Sequence, residues 1–157
     1  MKKLACLFAV AALLAGCGNN SDGGDDKDAN TPTSTVTGEG TATNESNGET
    51  LTTTAKVTMD GDKFTSVEFD ETYKDSEGND TTKKTLKDDY NMKPASEIGK
   101  EWWEQAEFLE DYIEQNGVDG IELGEDGKAT NEDVLTGCTM NIKPYVEAIK
   151  AAKDNAK

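Results

Sequence analysis

The residues best equipped for chemistry stand together near the C-terminal end, in the stretch DVLTGCTMN at residues 133–141. Asp133 offers a carboxylate, Thr136 and Thr139 two hydroxyls, Cys138 a thiol, and Gly137 a position with no side chain among them. A helix is expected to begin just after Asn141, and the free amides at a helix N-terminus carry a partial positive charge that suits a phosphate. The chain has no histidine, and no suitably placed lysine is evident as a base. Neither threonine is therefore expected to act as a self-activated nucleophile. Read on these facts alone, the stretch is a glycine turn with a threonine near a helix cap.

The elements that must position this stretch are readable from periodicity. Leu51, Thr53, Ala55, Val57 and Met59 alternate with polar partners, and Val67, Phe69 and Tyr73 share one face opposite Glu68, Asp70 and Thr72. With the turn at Asp60, Gly61 and Asp62, residues 51–73 read as a hairpin. KKTLKDDYNM suggests a short helix ending before Pro94. Ile98, Trp102, Ala106, Leu109 and Ile113 then fall on one helical face, with Ser96 as N-cap and Gly117 beyond the end. Trp103 lies beside this stripe and is a candidate stacking surface for an aromatic ligand. Residues 117–135 suggest a short strand and acidic turns. Ile142, Tyr145, Val146 and Ile149 mark a terminal amphipathic helix with Pro144 in its first turn, where proline is tolerated. The expected fold is α+β, a small antiparallel sheet packed by the tryptophan-bearing helix and the C-terminal helix.

At the other end, Lys2 and Lys3 precede an apolar run from Leu4 to Leu14, the layout of a secretory signal. As a helix that run extends about 16 Å, well short of the roughly 30 Å hydrocarbon core. Its ending LLAGC resembles the lipobox of bacterial lipoproteins, which implies a signal at residues 1–16, a lipidated Cys17, and a protein on the outer face of the membrane. Cys6 then leaves with the signal and Cys138 stands alone, so no intrachain disulfide is expected and no zinc ligand set exists. Residues 17–50 contain few aliphatic side chains and read as a disordered acidic tether, placing the folded domain at residues 51–157. DKDAN at residues 26–30 begins like a calcium loop, but Pro32 and Thr37 occupy the positions that need glycine and glutamate. The formal net charge is −16, and loss of Lys2 and Lys3 would make it more negative. Nucleic acid is thereby excluded as a partner.

DVLTGCT is similar to the D-x-x-S/T-G-A-T/S signature of the FMN-binding domain family, which includes the FMN-carrying subunits of sodium-pumping quinone reductases and electron-transfer lipoproteins. IGKEWWEQAEFLEDYI at residues 98–113 resembles the K-E-W-x-x-Q helix of its lipoprotein members, and YNMKPAS resembles the segment before it. The resemblance implies that a separate flavin transferase, using FAD and a divalent metal, esterifies FMN phosphate onto Thr139. Asp133, Thr136 and Gly137 match the other fixed positions, while Cys138 replaces the usual alanine. It implies covalent FMN as cofactor, the transferase as maturation partner, and a membrane quinol or reductase as electron donor. The protein then reads as an electron carrier rather than an enzyme with its own organic substrate. An exported binding or adhesion lipoprotein with no cofactor is the reading left if Thr139 is never modified.

Overall fold

The computed structural model describes residues 34–157; the expected signal at 1–16, Cys17 and the tether up to residue 33 lie outside the described residues. Strands β1 (Thr35–Ser46), β2 (Glu49–Asp60), β3 (Lys63–Lys74) and β4 (Asp80–Thr82) form one antiparallel meander in that order. Helices α1 (Lys83–Leu86), α2 (Trp102–Asn116), α3 (Glu132–Leu135) and α4 (Lys143–Asp154) follow. The long helices cover one face of the sheet, α4 lying on β1 and β2 and α2 on β3. This is the expected α+β arrangement. Among the described residues no helix is long and apolar enough to cross a membrane.

Strand β1 overturns the expected tether boundary, because residues 35–46 are not disordered but pair along their whole length with β2. The inward face of β1 carries Val36, Gly38, Gly40 and Ala42, so it offers little apolar surface and reads as solvent-loving. The glycines are there because α4 lies directly against the strand. A Cβ on Gly38 would stand 1.9 Å from the Ala152 carbonyl oxygen, and one on Gly40 2.3 Å from that of Ala148. Ala148 and Ala152 are themselves fully buried. Asn47 and Gly48, at φ 53° and 80°, make the β1–β2 turn, the dipeptide that a two-residue hairpin favours. The domain thus begins near Thr35, sixteen residues earlier than Leu51.

The β2–β3 hairpin, the short helix after residue 82 and the terminal helix with Pro144 in its first turn match the sequence expectation. Helix α2 starts later than expected. Gly99 sits at φ 65°, which breaks the helical path, and Glu101 replaces Ser96 as the cap. Glu101 and Glu104 form a reciprocal capping box, with Glu104 Oε2 accepting the Glu101 N–H at 2.8 Å. Ile98 is left outside the helix and half-buried.

One acid falls on the apolar face of β3. Glu71 is 1 % exposed and gathers a partner from each neighbouring layer. The Lys83 ammonium pairs with Glu71 Oε2. The Tyr145 hydroxyl from α4 donates to the same oxygen at 3.0 Å, and Thr53 Oγ1 of β2 donates to Oε1 at 3.3 Å. Trp102 Nε1–H of α2 donates to the Tyr145 oxygen at 3.0 Å. Lys83 also lies 5.1–5.8 Å from the ring centroids of Tyr90, Trp102 and Tyr73. Burial, with the neighbouring Glu71 carboxylate, pushes the Tyr145 hydroxyl well above its ordinary range, so it stays a proton donor.

Removing one partner of a buried ion pair leaves the other charge uncompensated. Glu71→Leu should cost about 3–5 kcal/mol in urea unfolding, and Glu71→Leu/Lys83→Met should recover most of that loss. A single variant within about 1 kcal/mol of the parent would show that the pair is not a structural necessity.

Candidate functional site

The segment from Asn131 to Asn141 is held from below by Val134, which is fully buried. Its carbonyl accepts the N–H groups of Gly137 at 3.1 Å and Cys138 at 2.9 Å, closing a tight turn after α3. Thr136 is exposed and its hydroxyl donates back to the Asp133 carbonyl at 2.6 Å. Asp133 is exposed too, and its Oδ2 accepts the Tyr112 hydroxyl at 2.8 Å. That bond to Asp133 raises the Tyr112 pKa. Asp133 and Thr136 therefore shape the turn and tie it to α2.

Gly137 has a packing reason. A Cβ there would stand 2.4 Å from the Phe108 ring, so the aromatic face of α2 lies directly on the motif backbone. The position without a side chain is thus filled by a contact that closes the turn from above. Phe108 stacks in turn on Tyr112, with centroids 6.4 Å apart and planes at 29°. Cys138 points into the core at 1 % exposure. Burial pushes its thiol up to about 12, against smaller lowering effects from the Met140 backbone and Lys100. It is a small hydrophobe here, and a thiolate beside a cofactor finds no support.

Thr139 is 9 % exposed and is held by its backbone. Its backbone N–H donates to Gln105 Oε1 at 2.9 Å. Gln105 is itself fully buried, and its Nε2 donates to Ser96 Oγ at 3.0 Å and to the Lys100 carbonyl at 3.3 Å. Ser96 Oγ also accepts the Lys100 N–H at 3.2 Å, so the serine expected to cap the helix instead fixes the glutamine that fixes Thr139. Thr139 lines a shallow cavity of about 140 Å³ with Met92, Ser96, Glu97, Gln105 and Lys128. Lys128 pairs with Glu97 at 2.6 Å across that rim. A larger hollow, about 850 Å³, lies elsewhere, around Tyr73, Tyr90 and the Asp75–Glu77 loop, and no residue of the motif lines it.

Two further expectations change. The start of α4 does not face a phosphate, because the Gly127 carbonyl accepts the N–H groups of Ile142 at 2.9 Å and Lys143 at 3.2 Å. Asn141 Oδ1 also accepts the Lys143 N–H, and Pro144 has none to give. Trp103 is not at the site either. It projects roughly 160° around α2 from Gln105, where its Nε1–H donates to Asp88 at 2.8 Å and Lys87 lies over its ring. Lys100 and Gln105 are the fixed lysine and glutamine of the K-E-W-x-x-Q resemblance and Ser96 is the expected cap, but their positioning of Thr139, and the part Phe108 plays in it, did not follow from sequence reasoning. The signals available were that resemblance and a polar Gln105 flanking an apolar helical stripe.

No protein-family profile and no solved structure matches the chain. It is similar to a chlorophenol reductase of Desulfitobacterium hafniense, 34% identical over 76 residues, which is 46% of this chain and 20% of that protein. The chain therefore spans about a fifth of the length of the curated relative it matches.

Cys138 should resist modification. In a Cys6→Ser/Cys17→Ser background, native protein with iodoacetamide at pH 8 is expected to remain unlabelled by intact-mass measurement over a time in which guanidinium-unfolded protein is fully labelled; equal rates would overturn the buried-thiol assignment.

Proposed function

We propose that this protein is an extracytoplasmic electron carrier whose FMN is joined through its phosphate to the Thr139 hydroxyl. The observation that carries this reading is a threonine held in place by a dedicated buried glutamine in the lining of a small cavity, where the one carboxylate, Glu97, is paired with Lys128. Such a hydroxyl is an acceptor for chemistry done by another enzyme. A flavin transferase would supply the base, join the FMN phosphoryl group of FAD to the Thr139 oxygen and release AMP. The cavity is smaller than the roughly 300–1,000 Å³ that encloses a whole small molecule. It suits the phosphate end of the cofactor. FMN supplies one- and two-electron transfer when bound. The similar protein is named a reductase, a redox activity that accords with this role.

The chain's own residues would hold and orient the attachment point. Gln105 fixes the Thr139 backbone, Phe108 on Gly137 stiffens the turn, and Asp133 with Tyr112 ties that turn to α2. A lipid-anchored Cys17 would keep the carrier near a membrane quinol or reductase. Outside the cell, freely dissociating FMN would be diluted and lost, which gives the covalent bond its purpose.

Coexpression with a flavin transferase should give a band that fluoresces after denaturing electrophoresis, and Thr139→Val should abolish it. A dark parent, or an equally bright variant, rejects Thr139 as the acceptor. The surplus of carboxylates should also disfavour the anionic reduced flavin. The loaded protein is expected to show a midpoint potential below that of free FMN in the same buffer, and a value at or above it would count against the electrostatic argument.

A further inference from the structure

We infer that Lys100 is the cation that receives the phosphate group at Thr139, an assignment that rests on the flavin reading above and adds the residue that neutralises the ester. Two lysines flank the site. Lys128 lines the cavity but spends its charge on Glu97 at 2.6 Å. Lys100 enters no ion pair among the described residues.

The position of Lys100 is tied to the motif from several sides. Its ammonium lies 5.6 Å from the centroid of the Phe108 ring, and that ring covers Gly137. Its charge is felt at the buried Cys138 thiol, the residue between Gly137 and Thr139. Its carbonyl accepts a hydrogen bond from Gln105, whose other end holds the Thr139 N–H. Backbone bonds thus register Lys100 to Thr139 through a single side chain. The flexible stem then leaves the ammonium free to swing from the Phe108 face to an anion on the threonine. The start of α4, the other plausible source of positive potential, is already consumed by Gly127 and Asn141.

A phosphodiester on Thr139 carries a permanent negative charge, and the FAD pyrophosphate that delivers it carries more. A hydrogen bond from an ammonium to either is charge-assisted and stronger than a neutral one. Lys100 would therefore act when the phosphoryl donor docks and would remain against the ester afterwards. It is a positioning residue, and both of its structural hydrogen bonds run through the backbone. Side-chain replacement leaves them in place.

The test is the rate of flavin incorporation into purified full chain, with limiting transferase, FAD and magnesium, followed by in-gel fluorescence. Lys100→Met should slow incorporation ~tenfold, Lys100→Arg should restore most of the rate, and the parent's advantage over Lys100→Met should shrink as potassium chloride rises. Lys63→Met, which removes one exposed positive charge far along the sequence, is the control for net charge and should match the parent. Thermal unfolding of Lys100→Met at the parent temperature confirms that the domain is intact. Incorporation into Lys100→Met at the parent rate, with Thr139→Val dark, overturns the role of Lys100 and leaves Thr139 standing. An arginine variant as slow as the methionine one, with no salt dependence, also overturns it. A dark parent removes the Thr139 reading and this inference with it.

Discussion

The fold depends on a carboxylate in a place where carboxylates rarely go. Glu71 sits on the buried face of β3 and is touched by a strand, a short helix and a long helix, with a second long helix one hydrogen bond further away. Burying an ion is expensive unless every oxygen is satisfied, so the geometry around Glu71 admits little slack. Lys83, Thr53 and Tyr145 fill its coordination, and Trp102 binds the far side of the Tyr145 hydroxyl. The two long helices are thereby locked to the sheet at a defined azimuth, something that apolar contacts alone specify less sharply.

That lock reaches the site through α2. Trp102 and Gln105 are three residues apart, almost one turn, so fixing the indole against Tyr145 also fixes the direction of the glutamine. Gln105 then spends its carbonyl on the Thr139 N–H and its amide on Ser96 and Lys100. Phe108, one turn further, meets the motif at Gly137. The chain uses glycine at its closest contacts: Gly137 under an aromatic ring, and Gly38 and Gly40 under the backbone of α4. At each, the absent Cβ is what lets an element approach.

The same economy explains which parts were legible from sequence. The β2–β3 hairpin and the two long helices bury aliphatic and aromatic side chains at strict spacing, so their periodicity shows. Strand β1 buries two glycines and only part of Val36 and Ala42, so it looks like a tether although it is paired from Thr35 to Ser46. Its one clear mark was the Asn47–Gly48 dipeptide. The start of α2 was placed at Ser96 because a serine before an apolar stripe looks like a cap; the positive φ of Gly99 and the use of Ser96 Oγ across space are invisible along the chain. Thr139 stood out because its motif is contiguous. Gln105 stood in the K-E-W-x-x-Q resemblance, but its partner lies 34 residues away and could not be read from it.

Charge and size together bear on why a covalent bond would be the means of holding an anionic cofactor here. A site of about 140 Å³ encloses only a small part of a flavin nucleotide, so burial contributes little affinity. At the site, electrostatics offers one ammonium unpaired among the described residues, Lys100, within a chain that as a whole repels anions, since Lys128 is neutralised by Glu97. Non-covalent affinity would then be weak at the dilution that prevails outside a cell, and occupancy falls once ligand concentration drops below the dissociation constant. An ester removes occupancy from that equilibrium. It would also free the fold from enclosing the ring system, and a flavin so attached would lie near the surface, within reach of a donor and an acceptor. On this argument the small cavity and the acidic surface are the conditions under which a single well-held hydroxyl is enough.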